Sequence, residues 1–441
     1  MNKKIKALPL ALPLSVLLAL GVTPAQAAEI HNQNGNSLQF NVEAMLGVFS
    51  LDENYSGTPG SRNWQEGYIK TDLVGESQLD VGTLYGGAGL IALGTRGDGD
   101  GLGISTGDEA DVDLENLFAG WRSASGVFDI SIGRQTFQLG DGFLIAGDKV
   151  SPGEGFGDNI DRGGAYYLAG RSSFSNTAIA RIDPQGPVRG DLFWLQSDNK
   201  YQQKTELAGV NLEWVNDELG TLGVSYFEVT DLEEGTGLSL FDQRKGLEVT
   251  SLRGQGSAGV ENLFLSFEYV DQSGGDTAVK NDAQGWYVEL GYTFADVWGS
   301  PSLNYRYAEF SGDDSSTAKN EAFDPLFYGF TRGFGTWYQG EVASNYAGPF
   351  SSGNDVSRIE LTLSPREDLM IGAQYWKFDK QDDAADLSGD EIDLYALWSI
   401  NDNWVFSPMI GYYDPKGSDV IAAQGNDDSN LYLQAVLMYF F

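Results

Sequence analysis

From residue 36 to the end of the chain, apolar and polar residues alternate in short runs separated by turn-rich stretches. This period of two constrains the fold more than any other feature, because it places successive side chains on opposite faces of a strand. "WQEGYIKTDLVG" sets Ile69, Thr71 and Leu73 against Tyr68, Lys70 and Asp72. "VFDISIG" sets Phe128, Ile130 and Ile132 against Asp129, Ser131 and Gly133, and "SRIELTLSP" sets Ile359, Leu361 and Leu363 against Arg358, Glu360 and Thr362. The chain finishes in the same way, with Leu433, Ala435, Leu437 and Tyr439 sharing one face before Phe441. At the edge of a soluble sheet such a strand would be an aggregation hazard.

The polar faces carry small residues and opposed charges, as in a water-filled lumen, and the runs reach the ~9–11 residues that cross a bilayer at a tilt. Tight connections such as "SASG" (123–126), "VNDEL" (215–219), "PRED" (365–368) and "SINDNW" (399–404) alternate with long acidic ones. Barrels with short periplasmic turns and long outer loops have this rhythm. The pattern predicts an all-β, transmembrane antiparallel β-barrel of about 18 strands with long acidic extracellular loops. Strand centres are expected near residues 43, 71, 88, 117, 130, 173, 193, 210, 225, 249, 265, 288, 306, 359, 374, 395, 408 and 435. The last strand should pair with the first and close the barrel. The gaps at 137–163 and 311–354 are too long for simple loops and are expected to fold inward.

The amino-terminal end indicates the compartment. Lys3, Lys4 and Lys6 precede the apolar run "ALPLALPLSVLLALGV" and the small-residue site Ala25-Gln26-Ala27. That is the layout of a secretory signal peptide spanning 1–27, which leaves 28–441 as a single outer-membrane barrel domain. The remaining 414 residues contain no cysteine, so neither disulfides nor thiolate metal sites hold them together. Their 21 Tyr, 24 Phe and 10 Trp suit the aromatic girdles of a membrane barrel.

Charge and histidine content exclude several functions. The net charge is −36, and −39 without the three signal-peptide lysines, so no basic stripe is available for nucleic acid. His31 is the only histidine, which removes Ser/His/Asp and His-based zinc chemistry. No carboxylate pair stands out among 63 acidic residues, and the reading is of a protein that is not an enzyme and needs no cofactor. The "DGDGLGISTGDE" loop places Asp98, Asp100 and Glu109 at calcium-loop positions one, three and twelve. Leu102 falls at position five, where an oxygen ligand is required, so a flexible acidic loop is favoured there.

Basic residues inside strands are more informative, because a lumen-facing arginine sets a positive potential along a pore. Arg358 shares its face with Glu360, and Arg306 is opposite in parity to Leu303, Tyr305 and Tyr307, so both should point inward. Lys70, Arg122, Arg134, Arg171 and Arg181 are further candidates. Each could instead pair with a neighbouring carboxylate and brace the wall.

Two stretches go beyond patterning: "GRQTFQLGDGFLIAGD" (133–148) and "FDPLFYGFTRGFGTWYQGE" (323–341). Gly133-Arg134-Gln135, Gly140-Asp141 and Leu144-Ile145 after the fifth strand, with Phe323 to Gly329 in a late outer loop, resemble the alginate-export family of outer-membrane porins. The resemblance implies an 18-stranded monomeric barrel that passes an anionic uronic-acid polymer outward, through an arginine-rich constriction with loops gating both mouths. Arg134 and Arg332 are carried over from the matched stretches; Arg306 and Arg358 join them by parity. The expected partners are an anionic polysaccharide or small anionic solutes, outer-membrane lipid, the barrel-assembly machinery and periplasmic export proteins. The alternative is a general porin for small solutes with a preference for cations. Phe330, Phe334, Trp337 and Tyr338 could stack on sugar rings or pack the loop against the rim.

Overall fold

In a computed structural model, the residues described are 28–56, 59–236, 239–329, 340–343, 346, 352–381 and 385–441. In chain order the strands are β1 (Ala28–Gln33), β2 (Asn36–Leu51), β3 (Arg62–Leu79), β4 (Gly82–Gly97), β5 (Ala110–Ser123), β6 (Phe128–Thr136) and β7 (Ser173–Ile182). There follow β8 (Val188–Gln196), β9 (Glu206–Asn216), β10 (Gly220–Asp231), β11 (Leu247–Gly256), β12 (Leu263–Gly274), β13 (Lys280–Thr293) and β14 (Ser302–Phe310). The remainder are β15 (Lys319–Asn320), β16 (Asn354–Arg366), β17 (Leu369–Lys380), β18 (Gly389–Ser399), β19 (Trp404–Pro415) and β20 (Asn430–Phe440).

Eighteen of these close an antiparallel barrel: β2 to β14, then β16 to β20, with β20 paired back onto β2 from Phe440 opposite Glu43 to Tyr432 opposite Leu51. Closure leaves no open edge in the barrel wall, which lets a sheet sit in hydrocarbon. Each of the eighteen expected strand centres falls inside one of these strands. Two short additions were not anticipated. β1 forms a hairpin with the start of β2, so His31 lies in a strand opposite Leu38. β15 pairs in parallel with the start of β13.

The outward face follows the alternation. Leu46, Ile69, Leu192, Leu290, Ile359 and Leu394 are each about half exposed, because flanking strands cover their sides and nothing among the described residues covers their tips. Exposed aromatics flank this belt, with Trp298, Trp398 and Trp404 near the short turns and Tyr269, Tyr375 and Tyr412 nearer the long loops. An apolar belt between two aromatic girdles is the surface a bilayer requires.

The interior corrects the expectation of a water-filled middle. Towards the long-loop end, inward positions are apolar and sealed: Phe49, Trp64, Phe227, Val249, Val270 and Trp376 are at most 2% exposed. They pack against residues of the two long connections, among them Phe143, Ile145, Tyr167, Phe323 and Phe327, in one continuous core. The hydrophobic core of this protein therefore lies inside the barrel.

Candidate functional site in the lumen

The described parts of the two family-like stretches, 137–148 and 323–329, meet inside the barrel as two halves of one plug. The amide of Ala146 donates to the carbonyl of Phe327 at 2.8 Å, Phe327 donates to Leu144 at 3.0 Å, and Gly329 donates to Gly142 at 2.8 Å. Ile145 and Phe327 thus form a parallel bridge inside the barrel. Phe323 packs on Phe143 and Phe310.

Charged and polar groups tie this plug to the wall and to the connections before β9 and β11. The Arg244 guanidinium donates to both oxygens of Asp324 at 2.6 and 2.7 Å, donates to Gln202 Oε1 at 3.0 Å, and lies 3.9 Å over the Phe241 ring. Gln272 on β12 brackets the Asp324 backbone, accepting from its amide and donating to its carbonyl. Tyr287 on β13 donates to Asp141. Gly140 has φ +57°, a left-handed backbone that favours glycine, and it lies beneath the Arg253 side chain, 2.7 Å from where a Cβ would sit.

Most of the other inward arginines among the described residues fall into three groups. On β13 to β17, Arg358 donates to Asn304 at 2.6 Å and to Glu289 at 3.1 Å, and it lies 3.4 Å from Glu360. Arg306 lies 3.9 Å from Glu289, and both guanidiniums stack near the Trp376 ring, 5.4 and 5.6 Å from its centroid. Both arginines point inward, as parity required, yet each is only 1% exposed. The contacts around them are those of a braced wall.

The second group sits beside the plug. Arg134 pairs with Asp198, which also accepts from Arg162 at 3.1 Å, and Arg162 reaches Asp148 at 3.3 Å. Burial alone would raise the Asp198 carboxyl, but Arg162 and then Arg134 outweigh it and hold the group below the usual carboxylate range. Arg171 pairs with Asp111 and Asp113. Strict alternation would put Arg134 on the lipid face with Ile130 and Ile132. A register shift at Gly133, whose φ is +115°, turns it inward. A Cβ at Gly133 would lie 2.3 Å from the Leu117 carbonyl, so the bulge depends on glycine.

The third group lies nearer the short turns, where neighbours across the wall alternate in sign. Arg122 on β5 faces Asp129 on β6, Asp129 faces Arg181 on β7, and Arg181 faces Asp191 on β8. Arg189 on β8 faces Glu213 on β9, which also accepts from Arg253 at 2.7 Å.

Of the four arginines expected to line the pore, Arg134, Arg306 and Arg358 face the interior in two separate clusters. Arg332 lies outside the described residues, as do Phe330, Phe334, Trp337 and Tyr338. Lys70, another strand candidate, is buried 3.6 Å from Glu43. Arg162, Arg189, Arg244 and Arg253 carry comparable contacts and escaped the sequence reading. Arg162 and Arg244 sit in connections, where no alternation marks a side. The opposite parity of Arg253 to Leu252 could have identified it.

The acidic loop at 98–109 is ordered by its own carboxylates, contrary to the expected flexible loop. Asp100 accepts amides of Leu102, Ile104 and Ser105, and Glu109 accepts those of Thr106, Gly107 and Glu154. Among the described residues no group of three or more acids or histidines is arranged to hold a metal ion.

Residues 90–395 match the alginate export family. No curated protein matches the sequence. The fold is similar to that of a BenF-like porin from Pseudomonas fluorescens Pf-5, with a TM-score of 0.61, 12% identity, and coverage of 92% of this chain and 98% of that one. It is also similar to OccAB4 of Acinetobacter baumannii, with a TM-score of 0.60, 10% identity, and coverage of 93% and 100%. OccD3 (OpdP) of Pseudomonas aeruginosa has a TM-score of 0.56, 13% identity, and coverage of 96% and 95%. At these identities the likeness shows the fold alone. The family match spans β5 to β17 entire, and with them every lumen arginine described above. This closed outer-membrane channel barrel is therefore a member of the alginate-export family.

Proposed function

We propose that this chain conducts an anionic, alginate-like polysaccharide passively from the periplasm to the cell surface, by exchange of carboxylates along an arginine-lined lumen. The observation that carries the reading is the pairing within the family-matched region: lumen arginines sit against lumen carboxylates rather than alone. A uronate group offers the same carboxylate chemistry, so a passing polymer can replace an internal partner without leaving a guanidinium bare. Arg134 takes part directly, being 14% exposed, while Arg306 and Arg358 act through the lumen potential and by holding the wall. Arg332 is assigned to the same path on the strength of the family resemblance.

The reading includes a monomer, removal of residues 1–27 on export, assembly by the barrel-assembly machinery, and delivery of polymer by periplasmic partners. The chain itself performs no chemistry on its cargo. The acidity of the outer loops is compatible with a polyanion path where the two are separated by more than a Debye length, about 8–10 Å at moderate salt.

A second reading, a small-solute porin preferring cations, is favoured by the sealed plug and the carboxylates that face the same lumen. Planar-bilayer recordings separate the two. Polyuronate export predicts anion-selective conductance that oligouronates block. The porin reading predicts cation preference and no block by any oligouronate.

A further inference from the structure

Exposure divides the lumen arginines sharply. The side chains of Arg122, Arg181 and Arg189 are 29%, 39% and 50% exposed. Arg134, Arg162, Arg171, Arg244, Arg253, Arg306 and Arg358 range from 14% down to 1%. The exposed three belong to neighbouring strands, β5, β7 and β8, at the end of the barrel that carries the short turns.

All three point inward. Phe128, Ile130 and Leu192, their neighbours of opposite parity on this wall, are about half exposed on the lipid side. Arg122 and Arg181 are separated by one strand and stand about 10 Å apart, two interstrand spacings. Arg189 is two residues nearer the turns than Asp191, the partner facing Arg181.

Their partners hold them to unequal degrees. Arg122 donates to Asp129 at 2.9 Å, but Asp129 also accepts from Tyr85. Arg181 is 3.8 Å from Asp191, beyond a normal hydrogen bond, and Asp191 accepts instead from Asn211 at 2.8 Å. Arg189 shares Glu213 with Arg253. Each carboxylate thus has a second donor and stays satisfied when its arginine turns to another anion.

We propose that Arg122, Arg181 and Arg189 form a receiving site for the carboxylates of an acidic polysaccharide at the periplasmic mouth, and that the path leaves the barrel axis to follow the β5–β8 wall. The proposal rests on the polysaccharide reading given above and adds to it a place and a side. The wall sets three exposed guanidiniums among carboxylates, alternating in sign, in a chain that is otherwise strongly acidic. A polyanion arriving there meets three guanidiniums in succession, each with donors to spare for bidentate binding.

The test is sidedness of block in planar bilayers, with oriented insertion of the full mature chain and oligouronates added to one side at a time. In the triple variant Arg122→Gln/Arg181→Gln/Arg189→Gln, block from the periplasmic side should weaken roughly tenfold, the sum of three modest exposed ion pairs. Block from the extracellular side should change less than twofold. Equal block of variant and parent from the periplasmic side overturns the receiving site while leaving the polysaccharide reading intact. Parent channels that no oligouronate blocks from either side overturn that reading and this site with it. If the triple variant fails to insert, Arg189→Gln alone, whose side chain is half exposed, is measured in the same way with about a twofold shift expected.

Discussion

Asp324→Asn tests whether the plug is fastened where the geometry places it. Arg244 is 1% exposed, and its two shortest bonds run to the Asp324 carboxylate. The amide keeps the shape of the side chain, one acceptor oxygen, and the backbone bonds to Gln272, so the change isolates the charge. Breaking a buried pair by removing one partner costs about 3–5 kcal/mol. Asp324 is 19% exposed, which lets water compensate in part and brings the expectation to about 2–3 kcal/mol. That shifts the balance between docked and released plug by about 30- to 150-fold. Hydrogen exchange at the amides of Ala146, Phe327 and Gly329 reads the shift, because those amides bond between the two halves of the plug. Their protection should fall by that factor while protection in β2, β3 and β20 stays unchanged, and single-channel recordings should show more frequent large openings. Unchanged exchange at these three amides, with Arg244 retained, would refute the latch.

Other perturbations test other levels of the structure. Gly133→Ala adds a Cβ 2.3 Å from a carbonyl at φ +115° and should cost about 2 kcal/mol or more, read as loss of heat-modifiable migration at lower temperature. Leu290→Arg or Leu394→Arg places a charge in the apolar belt and should cost about 2–4 kcal/mol in a refolding titration into lipid vesicles. Asp198 has its carboxyl held below the unfolded value, so its contribution is present above about pH 4 and is lost as pH falls through the lower folded value. Hydrogen exchange in 148–162 should therefore rise on acidification below pH ~4 in the parent and be insensitive to that step in Asp198→Asn.

The wall was legible in the sequence because one physical rule governs it. Ile69, Ile130, Ile359 and Leu433 face lipid and their neighbours face inward, as alternation alone required. The same rule failed in three places for identifiable reasons. On β11, Leu247 and Val249 are inward and apolar because they meet the plug rather than water. At Arg134 a glycine bulge reverses the parity. Arg162 and Arg244 act from connections, where side-chain direction depends on contacts distant in sequence: Asp148 and Asp198 for one, Asp324 for the other. Strand positions therefore followed from local chemistry, whereas the division of lumen arginines into sealed and exposed sets required the packed interior.

Transport of the polymer itself is the most direct trial of the account. Lipid vesicles carrying the purified mature protein would be loaded with a labelled polyuronate and a neutral dextran of the same size. Release of the polyuronate with retention of the dextran is the outcome expected of an arginine-lined conduit. Retention of both, or escape of both at one rate, would contradict it.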